Sequence, residues 1–213
     1  CRPNMKYFCN LSAVLFSALL LSPGAQCAPI TINFDGVADF TGAPGLYSSN
    51  GVDFSGGNVF VSGAFGGSVL NEFEFPPRSG EGVFVNGADE TSITFASSII
   101  SFQAFFTYGG PVNIGFYDSS NTLLNSLASQ YLTNLAISGD LGSSPNEEFS
   151  IYNLSGVTYA RILAPGADFA MDDLTVEFSS GGGGGPTIPE PSTVVLTGAA
   201  VVYLVVRARK YSR

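Results

Sequence analysis

From Ile30 onward, apolar residues alternate with polar or small ones in short segments, and this period of two limits the chain more than any other feature. Ile30, Ile32 and Phe34 share one side of an extended backbone, as do Ile100, Phe102, Ala104 and Phe106, and then Val112, Ile114 and Phe116. Such alternation makes strands with one buried face and does not make amphipathic helices. Further strands are predicted near 51–54, 58–62, 82–85, 91–95, 148–153, 157–163 and 169–178. Turn pairs such as Gly56-Gly57, Pro76-Pro77, Asn86-Gly87, Gly109-Gly110 and Pro165-Gly166 separate them. About ten short strands at this spacing predict an all-β fold, a two-sheet sandwich of jelly-roll or galactose-binding-like form. The segment 123–135 reads as strand or short helix: Leu124, Leu127, Ala128, Tyr131 and Leu135 fit one helical face, whereas Asn125, Asn134 and several Ser and Thr residues lower helix propensity.

The alternating body is expected over residues 28–180, between two apolar ends. Lys6, the apolar run Leu11 to Leu21, the helix breakers Ser22-Pro23-Gly24 and small residues near Ala25 to Ala28 have the three parts of a secretory signal peptide over residues 1–27, with Met5 as the expected start. Cys27 leaves a lipidated alternative, which Gln26 immediately before it fits poorly. At the other end, Gly181 to Gly185 begin a flexible linker, 181–188, and a tail follows over 189–213. A membrane segment is expected at 193–206, whose apolar core Val194 to Val206 reaches about 20 Å as a helix against roughly 30 Å of hydrocarbon. Arg207, Arg209 and Lys210 place the C-terminus in the cytoplasm and the body outside.

The order Ile188-Pro189-Glu190-Pro191-Ser192-Thr193, short apolar helix and Arg/Lys cluster resembles the PEP-CTERM sorting signal of Gram-negative bacteria, also known as the ice-binding-protein C-terminal domain. The resemblance covers about the last 26 residues. It implies recognition of Pro189, Glu190 and Pro191 by an exosortase, a membrane transpeptidase-like enzyme, and a place in exopolysaccharide or biofilm formation at the cell surface or in the extracellular matrix. Pro189 and Pro191 also hold the backbone extended, so Glu190 is displayed in a strand suited to a protease-like groove.

Charge and residue inventory then narrow what the body can do. Between Ala28 and Thr187 stand sixteen carboxylates, the seventeen of the chain less Glu190, against Arg78 and Arg161, a net of -14. Such a surface repels phosphate backbones and anionic headgroups, so nucleic acid is not an expected partner. The chain has no His, and its three Cys, at 1, 9 and 27, all lie in or beside the leader. Ser-His and Cys-His catalysis and Cys/His metal sites are therefore unavailable to the body.

The acidic residues that stand out are Asp172 and Asp173. Phe169 and Met171 share one parity and Leu174, Val176 and Phe178 the other, so the pattern slips by one at the Asp pair and predicts a bulge there. This segment, with Phe34-Asp35, resembles the terminal strands of PEP-CTERM sandwiches and of galactose-binding-like jelly rolls. For Asp172, Asp173 and Asp35 the resemblance implies a structural calcium, against the alternative of a hydrogen-bonded Asp pair closing the sandwich. Glu72 and Glu74, and the adjacent Glu147 and Glu148, form no evident pair across a cleft, as glycoside chemistry requires. The expected function is a non-enzymatic structural or adhesive protein of the cell surface or matrix; the alternative is a carbohydrate-binding module acting on matrix polysaccharide.

A processed sorting signal and a plain anchor respond differently to one substitution. Glu190→Ala leaves the apolar run Val194 to Val206 untouched, so a plain anchor keeps its mass and location; a sorting signal fails, and mass spectrometry of host fractions finds full-length chain held in the membrane.

Overall fold

The computed structural model describes residues 28–62 and 73–179. The signal peptide 1–27, the linker 181–188 and the tail 189–213, including its membrane segment 193–206, lie outside the described residues. Among the described residues no helix is long and apolar enough to cross a membrane.

Ten strands form among the described residues: β1 (Ile30–Ile32), β2 (Thr41–Gly42), β3 (Val52–Phe54), β4 (Asn58–Val61), β5 (Gly82–Val85), β6 (Glu90–Tyr108), β7 (Asn113–Tyr117), β8 (Leu123–Ala128), β9 (Glu147–Leu163) and β10 (Phe169–Phe178). The ambiguous segment is thus strand β8 followed by a loop. All pairings are antiparallel, and the hydrogen bonds run without a break through one ten-stranded sheet.

That sheet is folded over on itself, and β6 and β9 are the strands that cross the fold. The first half of β6 pairs with β3 through Ile93 to Phe95 and with the second half of β9, which continues to β7 and β8. Its second half pairs with β10 and with the first half of β9, and β10 leads on to β1, β5, β4 and β2. We refer to these as the first and second layers. The sequence predicts separate strands at 91–95 and 100–106; they are one strand of 19 residues because Ala96-Ser97-Ser98 contains neither Gly nor Pro to stop it. The ladder between Thr94 and Ser101 is irregular, and the buried parity changes there from Ile93, Phe95 and Ile99 to Phe102, Ala104 and Phe106. β9 joins the predicted 148–153 and 157–163 strands in the same way, bending where Asn153 and Gly156 take positive φ of 59° and 75°.

The core lies between the layers and is largely phenylalanine. Phe54 of β3 stacks on Phe84 of β5 with ring centroids 4.8 Å apart, and Phe102 of β6 meets the edge of Phe116 of β7 at 5.2 Å, so each pair spans the two layers. Phe34 packs against Phe54, Phe84 and Tyr47. Phe84→Ala, at a fully buried position, should lower the unfolding free energy by about 3–5 kcal/mol in urea denaturation, whereas Phe73→Ala at an exposed one should change it by less than about 0.5 kcal/mol.

Candidate functional site

The outer faces of the two layers differ in what packs on them. On the second layer, Phe60, Val83, Val85 and Ala170 face outward but are buried, because Phe75 and Leu135 from the loops before β5 and after β8 pack on them. The guanidinium of Arg78 covers Phe105, 3.2 Å above its ring centroid.

Three carboxylates hold this cover down, and they are the three singled out in the sequence. Asp172, 1% exposed, accepts hydrogen bonds from the backbone N–H groups of Arg78 and Ser79 at 2.8 and 3.0 Å. Asp173 accepts from the Ser79 hydroxyl at 2.8 Å and pairs with Arg78 at 3.2 Å. Asp35 accepts from the N–H groups of Glu81 and Gly82 at 2.8 and 2.9 Å. The fit requires glycine, since a Cβ at Gly80 would fall on the Asp35 carboxylate and one at Gly82 on the Phe34 carbonyl. The predicted bulge is present, with a register shift between Asp172 and Thr175 and φ of 48° at Asp173.

Asp172, Asp173 and Asp35, for which the resemblance implies a structural calcium, are thus engaged as acceptors of N–H and O–H donors, and among the described residues no three His, Cys, Asp or Glu side chains stand together as a group. The other acidic candidates are likewise engaged apart from one another. Glu74 accepts from the N–H groups of Ile137 and Ser138, which hold its carboxyl below the usual range. Glu147 accepts from the Tyr108 hydroxyl and Gln130 N–H, while Glu148 accepts from Gln103. Glu72 and the sorting residues Pro189, Glu190 and Pro191 lie outside the described residues.

The first layer presents an aromatic platform on its outer face. Along β7 and the second half of β9, Ile114, Phe116, Ala160 and Ile162 are buried, and the intervening residues take the other side. Register sets Tyr117 opposite Tyr159 and Gly115 opposite Arg161. The tyrosine rings are parallel within 7° at a centroid distance of 5.1 Å, and the Tyr117 ring lies over Gly115, where a Cβ would come within 2.8 Å of it. The Arg161 guanidinium stands 5.1 Å from the Tyr117 ring centroid and 5.5 Å from that of Tyr159. Asn121, with φ of 65° in the β7–β8 turn, accepts through Oδ1 from the Tyr159 hydroxyl and from Arg161 at 3.1 Å. Glu90 approaches Arg161 Nε at 3.6 Å. Sequence reading singled out none of these as a site; the available signal was that one of the body's two cations shares an outward parity with Tyr159.

No family model matches the chain, and no curated protein matches it. Among solved structures it is similar to two cleaved adhesin domains of Lys-gingipain. The first has 10% identity and TM-score 0.45, covering 70% of this chain and 99% of that one. The other, from Porphyromonas gingivalis W83, has 11% identity and TM-score 0.41, covering 73% and 99%. It is also similar to a family 29 carbohydrate-binding module complexed with mannohexaose, at 13% identity and TM-score 0.37, covering 73% and 96%. These are likenesses of outline.

The buried clamp generates a pH dependence. Burial pushes the Asp172 carboxyl up to about 6, with Asp173 adding to the shift and three backbone N–H donors opposing it. A raised carboxyl contributes stability that is full below its unfolded value near 4 and is lost as pH rises through 6. The unfolding free energy of the wild type should therefore fall between pH 4 and 7 by up to about 3 kcal/mol from this group. Urea titrations should show a flatter profile over that window in Asp172→Asn.

Proposed function

We propose that this chain is an exported, non-enzymatic polysaccharide-binding module that grips cell-surface or matrix polysaccharide through the outer face of its first layer, on a sandwich of jelly-roll or galactose-binding-like type. The Tyr117–Tyr159 stack carries this reading. A sugar ring has a C–H face that packs on an aromatic face and a rim of hydroxyls that need hydrogen-bond partners. Both requirements meet on this face, where parallel tyrosines are flanked by the Asn121 amide, the Arg161 guanidinium and the Glu90 carboxylate. The network fixes the rings before any ligand arrives, which reduces the ordering cost of binding. The contrast between the layers favours binding over a purely structural role: the half-buried tyrosine pair stands on the outer face of the first layer, whereas Phe75 and Leu135 pack on that of the second. The non-enzymatic part of the proposal draws support from the dispersed carboxylates, which already hold backbone N–H groups.

Delivery belongs to the same proposal. The leader exports the chain, the tail stops it in the membrane, and an exosortase-like enzyme acts at Pro189-Glu190-Pro191 to release the module to the surface or matrix. The short apolar run of the tail, with cations behind it, supports a temporary stop better than a lasting anchor.

Tyr159→Ala and Tyr117→Ala should each weaken polysaccharide affinity by about tenfold, the loss expected of one stacked contact. Affinity electrophoresis through polysaccharide-loaded gels measures this, with an unchanged circular dichroism spectrum as the folding control. Equal retardation of wild type and both variants would remove the platform from the binding surface.

A further inference from the structure

We infer that the polysaccharide held on the Tyr117 and Tyr159 face is uncharged; this rests on the reading above and names its substrate class. Among the described residues the face has one cation, Arg161, and it is already engaged. Arg161 donates to Asn121 Oδ1 at 3.1 Å, has Glu90 at 3.6 Å and packs beside both tyrosine rings. Arg78, the other cation of the described residues, lies on the outer face of the opposite layer, over Phe105 and paired with Asp173.

What surrounds the platform is hydroxyl, amide and carboxylate, with the exposed side chains of Leu123 opposite Tyr117 and Leu163 opposite Glu90. The cross-strand row through Arg161 reads Ser126, Gly115, Arg161 and Ser92, and the row through the tyrosines continues from Tyr159 to Thr94 and Asp53. A uronate or sulfate group laid on this face would lose hydration without gaining a free cation and would stand beside Glu90 in a domain of net charge -14. Sugar hydroxyls meet no such penalty. They can donate to the Glu90 carboxylate and accept from the Arg161 N–H groups that the network leaves unused, since a guanidinium has five. Arg161 is therefore a positioning residue, which fixes Tyr159 and Asn121 and contributes hydrogen bonds rather than net charge.

The test compares full-length chain in mild detergent against two panels by affinity electrophoresis, with mannan, xylan and hydroxyethylcellulose as neutral polymers and alginate, polygalacturonate and hyaluronan as anionic ones. Retardation by at least one neutral polymer, none by the anionic ones, and affinity that changes less than about twofold between 50 and 500 mM NaCl is the expected result. Glu90→Lys, which reverses the charge beside Arg161, should newly admit an anionic polymer. Binding confined to anionic polymers, or equal for both panels, would overturn the inference and leave the binding module standing. Binding to neither panel would overturn the module itself.

Discussion

β6 has a hydrogen-bonded neighbour on each side of both its halves, β3 and β9 first, then β10 and β9. Its 19 residues would extend about 60 Å if straight, well beyond the roughly 40 Å across a body of some 150 residues. The strand therefore has to bend, and wherever it bends its partners bend with it. Asn153 and Gly156 provide the positive φ that lets β9 follow. The two layers face each other because the same strands build both, and the Phe54–Phe84 and Phe102–Phe116 contacts fill the space that this folding creates.

Acidity has a structural use in this fold. With two cations in the body, most carboxylates cannot be ion-paired, and many instead cap backbone N–H groups in loops. Asp53 accepts from Gly45 and Phe54, Asp118 from Ser120 and Thr122, and Asp140 from Leu132 and Thr133, in the manner of Asp172 and Asp35. A loop has donors that no ladder satisfies, and a carboxylate with two oxygens can take several at once through charge-assisted bonds. The acidity that repels anions is thus partly the fastening of long connections, which explains how loops rich in Gly and Ser can pack on the second layer.

Strand positions were legible because period two is a local property: β5 and β10 lie where the alternation puts them, and the slip at Asp172-Asp173 marks a real bulge. The joining of 91–95 to 100–106 was not legible, since a parity change between strands looks the same as a turn until the partner strands are known. Asp35, Asp172 and Asp173 all hold the segment 78–82, and no local pattern records this: the donors that a carboxylate meets are set by the chain that passes beside it. Tyr117 and Tyr159 meet through pairing across 42 positions, which no local pattern records.

The placement of the platform follows from which layer the loops can reach. The segment before β5 and the loop after β8 both return across the second layer, since Phe75 and Leu135 gain burial against Val83, Val85 and Ala170 there. The outward positions of the first layer are mixed, with Ser92, Thr94, Gly115 and Arg161 beside Tyr117, Tyr159, Leu123 and Leu163. A side chain at position 115 would occupy the place of the Tyr117 ring, so glycine there lets the ring lie along the sheet beside Tyr159. The outward residues of two strands thus set the character of this face: glycine at 115 makes room for the Tyr117 ring, and cross-strand register brings Tyr159 parallel to it.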